Sequence, residues 1–173
     1  MKIIIEKAKL FANKAHSEID HRRKYSGKPY IVHPEAVAKI VASVTDDYEM
    51  ICAAWLHDVV EDTPVIIEEI ETEFGSNIAT LVSELTNVSK PEDGNRKTIK
   101  AIDRSHTKRS TPRAKTIKLA DCIDNSRSII VEDPHFAKVY LKEFALLLPF
   151  LSEGDLCLYD EAIQIVKEFF EIE

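Results

Sequence analysis

A short segment of the chain, HDVVED (57–62), concentrates ionisable side chains in a pattern suited to binding a metal ion. On a helix, residues four apart lie on one face, so Glu61 would stack over His57. Asp62 would stack over Asp58 in the same way. Burying four such groups without partners costs free energy, whereas a divalent cation would neutralise their charge. Because imidazole nitrogen with carboxylate oxygen suits Mn, Fe, Co or Zn, the segment predicts part of a metal site.

Two residues elsewhere in the chain could complete the coordination shell. His33 lies where a loop enters a helix, and Asp121 lies on a helix whose neighbouring positions are apolar. Each also has a plainer explanation, because His33 could be a hydrogen-bonded core histidine and Asp121 could pair with a nearby base. The two bases within reach on the same helix are Lys118 and Arg127. With the His-Asp pair at 57–58, the two residues predict a site with open positions, which is typical of a catalytic metal.

Helical periodicity dominates the sequence and determines which elements would position these residues. Apolar residues recur every three or four positions, in segments separated by proline, glycine or capping residues. An ordered loop is predicted over 22–34, with the second helix beginning at Pro34. The third helix would begin after the capping group 45–47 and continue to Asp62. Later helices would begin at STP (110–112) and at Asp133-Pro134. The sequence contains no alternating strand pattern, so we expect an all-α fold, one compact bundle of about eight helices forming a single domain over 1–173.

The composition bounds the class of protein. The chain has 173 residues and a formal charge of −7, which argues against binding to nucleic acid polymers. Its cysteines, Cys52, Cys122 and Cys157, are odd in number and far apart, a usage typical of reduced thiols in the cytosol. The longest apolar stretch, 144–151, is too short to cross a bilayer. We therefore expect a cytoplasmic protein without a membrane partner, and a homo-oligomer is an open alternative.

Basic residues are concentrated in two clusters. Between residues 96 and 118 there are nine basic residues and one acidic residue, and a second cluster contains Arg22, Arg23, Lys24 and Lys28. Charge runs of this kind are commonly solvated helix faces. The alternative is that both clusters border a site for a small polyanion, since the guanidinium group pairs well with phosphate oxygens.

These motifs together resemble a known family. The H…HD…D pattern of the HD-domain metal-dependent phosphohydrolases is matched by His33, the pair at 57–58 and Asp121. Four longer segments resemble the hydrolase domain of the RelA/SpoT alarmone enzymes: RRKYSGKPYIVHP (22–34), HDVVEDT (57–63), EIETEFG (69–75) and IKLADCIDNSR (117–127). The resemblance runs over nearly the whole chain. Because 173 residues leave no room for the synthetase domain of the large enzymes, we expect a stand-alone small alarmone hydrolase.

The resemblance implies a reaction and a set of site residues. The reaction is hydrolysis of the 3′-pyrophosphate of ppGpp or pppGpp, yielding GDP or GTP and pyrophosphate, usually with Mn²⁺. The implied metal ligands are His33, His57, Asp58 and Asp121. The implied catalytic acidic pair is Glu61 and Asp62. The implied contacts to the small-molecule nucleotide are Arg23, Lys24, Ser26, Asn125 and Arg127.

The acidic pair would lie one turn beyond the ligands, where a carboxylate can orient a water molecule or move its proton. Coupled carboxylates share their titration, so either Glu61 or Asp62 could handle that proton. A protein that only senses a nucleotide has no need for this pair. The sequence therefore favours an enzyme over a sensor.

Two features of the sequence leave alternatives open. The segment AHSEIDHRRK (15–24) is longer than the family pattern AH-x-GQ-x-RK, so Arg22 could take the place of Arg23 or Lys24. Asp124 stands near the expected base pocket and could alter the preference between guanine and adenine. A phosphohydrolase of another nucleotide, such as an adenine alarmone or NADPH, is therefore one alternative. An inactive nucleotide-binding sensor is the second.

Overall fold

The computed structural model describes residues 2–171, and the regular structure in this range is helical. Its α-helices are α1 (Lys2–Glu18), α2 (Val32–Val44), α3 (Tyr48–Leu56), α4 (Val59–Asp62), α5 (Ile67–Phe74), α6 (Ser76–Leu85), α7 (Arg96–Thr107), α8 (Pro112–Glu132), α9 (Pro134–Leu147) and α10 (Leu156–Glu171). Two short 3₁₀ helices cover Pro91–Asp93 and Leu148–Phe150. Within the described range, extended pairing is limited to one isolated bridge, between Arg22 and Pro29. The predicted all-α class is confirmed.

The chain divides into two compact units between Thr86 and Asn87. The first contains α1 to α6 and the second contains α7 to α10. The single domain expected over residues 1–173 stays a prediction. None of the helices in residues 2–171 combines the length and the apolar character needed to cross a membrane.

Helix α3 is the centre of the first unit and packs against α1, α2 and α6. Its start is capped as predicted, because the Asp47 carboxylate accepts hydrogen bonds from the backbone N–H groups of Glu49 and Met50, at 3.0 and 3.3 Å. Every residue from Cys52 to Leu56 is buried. A helix with neighbours on several sides needs such an all-round apolar surface. Helix α3 is therefore a fixed support for the residues that follow it.

The third helix ends earlier than the sequence predicts. Helix α3 stops at Leu56, residues 57–58 form a turn, and α4 begins at Val59. The apolar pattern continues through this turn, since Val59 is fully buried, so the pattern contains no signal for the break. The ring Nδ1 of His57 lies 2.8 Å from the carbonyl oxygen of Ala54 and satisfies an acceptor at the helix end. The prediction of one continuous helix through residue 62 is therefore wrong.

The loop between α1 and α2 is closed by its own backbone hydrogen bonds. The bridge between Arg22 and Pro29 is extended by a bond from the N–H of Arg23 to the carbonyl oxygen of Lys28, at 2.9 Å. The tip turns at Gly27, whose φ of 65° is in the left-handed region that favours glycine. The loop is ordered as predicted, and α2 begins two residues earlier than predicted.

Helix α8 is the centre of the second unit and packs against α9 and α10. The Thr111 hydroxyl accepts a hydrogen bond from the N–H of Ala114 at 3.3 Å, and Pro112 occupies the first turn. The carboxylate of Asp133 caps α9 by accepting from the N–H of Phe136 at 3.0 Å. Both helix starts agree with the sequence analysis.

Candidate metal centre

Three of the predicted ligands come together in the first unit. His33 is in the first turn of α2, whereas His57 and Asp58 form the turn after α3. The Nε2 atoms of the two histidines are 3.3 Å apart, and one Asp58 oxygen, Oδ2, lies 3.0 Å from His57 Nε2 and 3.6 Å from His33 Nε2. Both histidines are buried and Asp58 is partly exposed. Two imidazole nitrogens and one carboxylate oxygen therefore converge on one point.

When the ring of His57 is neutral, its tautomer leaves a lone pair directed at this point. A carbonyl oxygen only accepts hydrogen bonds, so the 2.8 Å contact requires that Nδ1–H of His57 donates to Ala54. A neutral imidazole with its proton on Nδ1 carries its lone pair on Nε2. That atom is the one that faces His33 and Asp58. A backbone carbonyl that fixes the ring in this way is a common support for a histidine ligand.

The donor set fits a divalent cation. The donor atoms of His33, His57 and Asp58 all lie within 4.8 Å of one another. Two imidazole nitrogens and one carboxylate oxygen form a mixed N/O set suited to first-row transition metals. These three residues would hold the ion, and further positions would be filled by other donors or by water.

The predicted acidic pair follows directly on α4, and both of its residues are exposed. The N–H of Asp62 bonds to the carbonyl oxygen of Asp58 at 2.9 Å, so the predicted stacking of these two residues survives the helix break. Although Asp62 as a residue is exposed, protein atoms crowd its carboxyl group, and this desolvation, with the charges of Asp58 and Glu61, raises the pKa of Asp62 to about 7, against a hydrogen bond from Tyr30 and the charge of His57. A carboxyl with this pKa exchanges a proton near neutral pH.

The predicted ligand Asp121 belongs to the second unit. It is buried on α8, where its carboxylate accepts hydrogen bonds from Lys118 Nζ at 2.8 Å and from Asn125 Nδ2 at 2.6 Å. Pairing with Lys118 was the plainer explanation for this residue, and the structure contains that pair. Each Asp121 oxygen accepts one of these hydrogen bonds and retains a lone pair that can bind a metal. Its role as a ligand stays a prediction.

The predicted nucleotide-binding residues of the first unit lie in the loop over 22–30. The guanidinium carbon of Arg23 is 5.8 Å from the centre of the Tyr30 ring, and Ser26 is exposed near the loop tip. Lys24 is exposed as well. The alternative residue, Arg22, bonds the carbonyl oxygen of Gly27 at 3.2 Å and pairs with an aspartate, so it contributes to loop structure. Binding of a nucleotide by this loop stays a prediction.

In the second unit, both predicted nucleotide-binding residues contact other side chains of the same unit. Asn125 donates to Asp121, and Arg127 forms an exposed ion pair with Glu161. The basic run over 96–118 is also partly paired rather than only solvated. Its ion pairs include Arg96–Glu143, Lys115–Glu153 and Lys118–Asp121. The surface of this run that remains exposed lies mostly on α7.

Sequence reasoning did not assign a role to Tyr30. Its hydroxyl donates a hydrogen bond to Asp58 Oδ2 at 2.6 Å, and its ring is stacked on His21 with centroids 3.8 Å apart. The signal that could have found it is the position of Tyr30 three residues before His33, within the quoted motif PYIVHP. A tyrosine at that spacing before a predicted ligand is a candidate hydrogen-bond donor to the site.

A buried histidine beside this cluster makes the stability of the first unit depend on pH. His16 is 1% exposed, and burial, with the nearby His21, His57 and His33, lowers its pKa to about 4 against the opposing charge of Asp58. A histidine in the unfolded chain titrates near 6.5. Protonation of His16 is thus less favourable in the folded state than in the unfolded chain. The free energy of unfolding therefore falls as the pH drops from about 6.5 towards 4.

We expect the unfolding free energy of the wild type to fall by about 2 kcal/mol relative to His16→Gln between about pH 7.5 and about pH 5. The variant lacks the titrating group, so the difference isolates His16 from the other groups that titrate in this range. Urea unfolding of both proteins in the presence of a chelator measures it. Parallel pH dependences would contradict the assignment.

The all-α fold of this protein, with a His–His–Asp cluster at the end of a helix, places it among helical proteins with a candidate site for a divalent metal. The HD domain family matches residues 8–147 of the chain. The chain therefore belongs to the HD domain family. The resemblance drawn from the motifs is confirmed.

Several proteins similar to this chain are named as 3′-pyrophosphohydrolases of guanosine-3′,5′-bis(diphosphate). The human guanosine-3′,5′-bis(diphosphate) 3′-pyrophosphohydrolase MESH1 is 38% identical over 122 residues, covering 69% of this chain and 65% of that protein. The guanosine-3′,5′-bis(diphosphate) 3′-pyrophosphohydrolase of Aquifex aeolicus is 35% identical over 145 residues, covering 80% and 20%. This chain spans between 11% and 20% of the length of the first bacterial relatives.

Solved structures share the fold. A metazoan orthologue of SpoT, described as hydrolysing ppGpp with a role in starvation responses, matches with a TM-score of 0.85 and 28% identity. The match covers 95% of this chain and 94% of that one. The protein lmo0812 from Listeria monocytogenes matches with a TM-score of 0.69 and 24% identity, over 86% and 99% of the two chains, and shows the fold alone.

Proposed function

We propose that this protein is a metal-dependent pyrophosphohydrolase that removes the 3′-pyrophosphate of ppGpp and pppGpp. The observation that carries the proposal is the convergence of His33, His57 and Asp58 directly before an acidic pair on α4. Two of the three metal donors and both proton-transfer groups thus lie within six consecutive residues, 57–62. The relatives named above support the substrate, since their names specify guanosine-3′,5′-bis(diphosphate) and cleavage at the 3′ position.

The ligands of the proposed metal are His33, His57, Asp58 and Asp121, with Mn²⁺ as the preferred ion. A bound divalent cation supplies Lewis-acid polarisation of a phosphoryl oxygen and a lowered pKa for water. The protein's own contribution is to orient the donors. The Ala54 carbonyl selects the His57 tautomer, and the helix break after Leu56 turns the Asp58 carboxylate towards both histidines.

The acidic pair, Glu61 and Asp62, would handle the proton of the attacking water. Both residues are exposed, so water and substrate can reach them. A positioned carboxylate contributes on the order of 10²–10⁴-fold to a proton-transfer step. Water adds to phosphorus, the bond between phosphorus and the 3′ oxygen breaks, and the 3′ oxygen leaves with a proton. The products are GDP or GTP and pyrophosphate.

Nucleotide binding is assigned to two groups of residues. In the first unit they are Arg23, Lys24 and Ser26. In the second unit they are Asn125 and Arg127. Guanidinium and ammonium groups would offset the charge of the diphosphates as it redistributes in the transition state. The substrate partner is thus a small nucleotide.

A product assay tests the proposal. Purified protein is stripped of metal and mixed with ppGpp, with and without Mn²⁺, and the products are separated by anion exchange. We expect GDP and pyrophosphate only when metal is present. Intact ppGpp in both samples would overturn the proposal.

The same assay separates the alternatives. Turnover of an adenine alarmone or NADPH, with ppGpp left intact, would identify a phosphohydrolase of another nucleotide. Tight binding of ppGpp without any product would identify a sensor. Replacing Mn²⁺ by Co²⁺ or Zn²⁺ tests the choice of metal, because a mixed N/O donor set accepts each of these ions.

A further inference from the structure

The hydroxyl of Tyr30 contacts the candidate metal centre directly. It donates its one hydrogen to Asp58 Oδ2 at 2.6 Å. The oxygen that it contacts on Asp58 is the same oxygen that faces His33 and His57. A short bond between a hydroxyl and a carboxylate is among the stronger hydrogen bonds in proteins. Tyr30 therefore acts on the orientation of the Asp58 carboxylate.

The Tyr30 ring is held in place by its own neighbours. One face is stacked on His21, with ring centroids 3.8 Å apart and planes 11° from parallel. The N–H of Tyr30 donates to the carbonyl oxygen of His21 at 3.0 Å, so the same residue fixes both the backbone and the ring. The edge of the ring lies against His33, with centroids 5.8 Å apart. A ring restrained on two sides leaves its hydroxyl little freedom to move away from Asp58.

The chemistry of the carboxylate explains why such a restraint is useful. Asp58 is partly exposed, and a carboxylate at the surface can rotate about its terminal torsion. Rotation would carry Oδ2 away from the two Nε2 atoms, and the donor set would have to be reassembled each time an ion binds. The Tyr30 hydroxyl, which reaches Oδ2 from the loop between α1 and α2, holds the carboxylate in the binding orientation before the ion arrives, so this cost is not incurred on binding.

We propose that Tyr30 is a positioning residue that holds the Asp58 carboxylate towards His33 and His57 and so prepares the site for a divalent cation. The inference rests on the proposed metal centre and adds to it a residue outside the ligand set. Tyr30 acts through Asp58 and need not touch the substrate. Partners of this type, one step removed from the ion, are typically worth 10- to 100-fold in metal affinity.

The test compares two tyrosine-to-phenylalanine changes in the same loop. Tyr30→Phe removes the hydroxyl that bonds Asp58, whereas Tyr25→Phe removes a buried hydroxyl for which the described residues provide no hydrogen-bond partner. Calorimetric titration of each metal-free protein with Mn²⁺ gives the affinity. We expect a loss of about 10-fold or more for Tyr30→Phe and less than about twofold for Tyr25→Phe.

Thermal unfolding separates positioning from a general loss of structure. Measured on the metal-free proteins, it reports stability, and a Tyr30→Phe variant that is destabilised but binds Mn²⁺ as the wild type does would overturn the inference. A variant that unfolds at the wild-type temperature and binds Mn²⁺ more weakly is the result expected from positioning.

The wild-type protein provides a readout that does not depend on a variant folding. Zn²⁺ absorbs no visible or near-ultraviolet light, so a difference spectrum on its addition reports the protein. We expect a tyrosine signal that is retained in Tyr25→Phe, and its absence would contradict a link between Tyr30 and the ion. Failure of the wild type to bind any divalent cation would instead refute the proposed metal centre itself.

Discussion

Replacing His57 by glutamine is expected to abolish divalent-metal binding and hydrolysis of ppGpp together. The variant loses the Nε2 donor that faces His33 and Asp58, and it also loses the bond from Nδ1–H to Ala54 that selects the tautomer. A metal ion commonly contributes several kcal/mol to a transition state, so the expected loss of kcat/KM is about 10³-fold or more. Metal content by mass spectrometry and the product assay measure the two effects.

The matched control for this prediction is His135→Gln. His135 lies exposed on α9, outside the predicted ligand set, so its replacement should leave metal content and turnover at wild-type values. Asp58→Asn should reproduce the effect of His57→Gln with a smaller perturbation of packing, because the side chain keeps its shape and remains partly exposed. Full metal content and normal turnover in both site variants would show that the ion binds elsewhere or is not needed.

Replacing Glu61 by glutamine or Asp62 by asparagine is expected to separate metal binding from turnover. Neither residue is part of the His33, His57 and Asp58 cluster, so both variants should fold and bind Mn²⁺ as the wild type does. Each loses a group that could accept or donate the proton of water. The expected loss of kcat is on the order of 10²–10⁴-fold for the residue that handles the proton.

Steady-state kinetics and metal titration on the same preparations measure this separation. An exposed glutamate on α5, Glu71, provides the control, since Glu71→Gln removes the same charge from a neighbouring helix. The relative losses of kcat in the two site variants identify which carboxylate moves the proton. Wild-type rates in both Glu61→Gln and Asp62→Asn would show that the assigned roles are wrong.

Much of the fold could be predicted because helices have a local signature. Apolar spacing of three or four residues predicted the helices, and the starts of α3, α8 and α9 were predicted from residue type and confirmed, with caps at Asp47, Thr111 and Asp133. The break after Leu56 could not be predicted in this way. The apolar pattern continues across it to the buried Val59, and the turn is stabilised by a side-chain bond that the pattern does not encode.

The residue types of the candidate site could also be predicted from the sequence, since histidine and aspartate at these spacings match a family pattern. The roles of Asp121, the loop residues and the acidic pair stay predictions on that basis. Their physical setting in the structure adds specific facts, among them the pairing of Asp121 with Lys118 and the raised pKa of Asp62. A pKa depends on burial and on neighbouring charges in space, and neither can be derived from spacing along the chain.

By itself, the sequence determined the helical class of this protein and the residue types offered to a metal, because both are local properties of a pattern. The tertiary structure decided the rest of the centre. It placed two histidines that are 24 residues apart with their Nε2 atoms at 3.3 Å. It selected the His57 tautomer through the Ala54 carbonyl and brought the Tyr30 hydroxyl onto Asp58. Distances of this kind arise from helix packing and loop closure, which join positions that no sequence period connects.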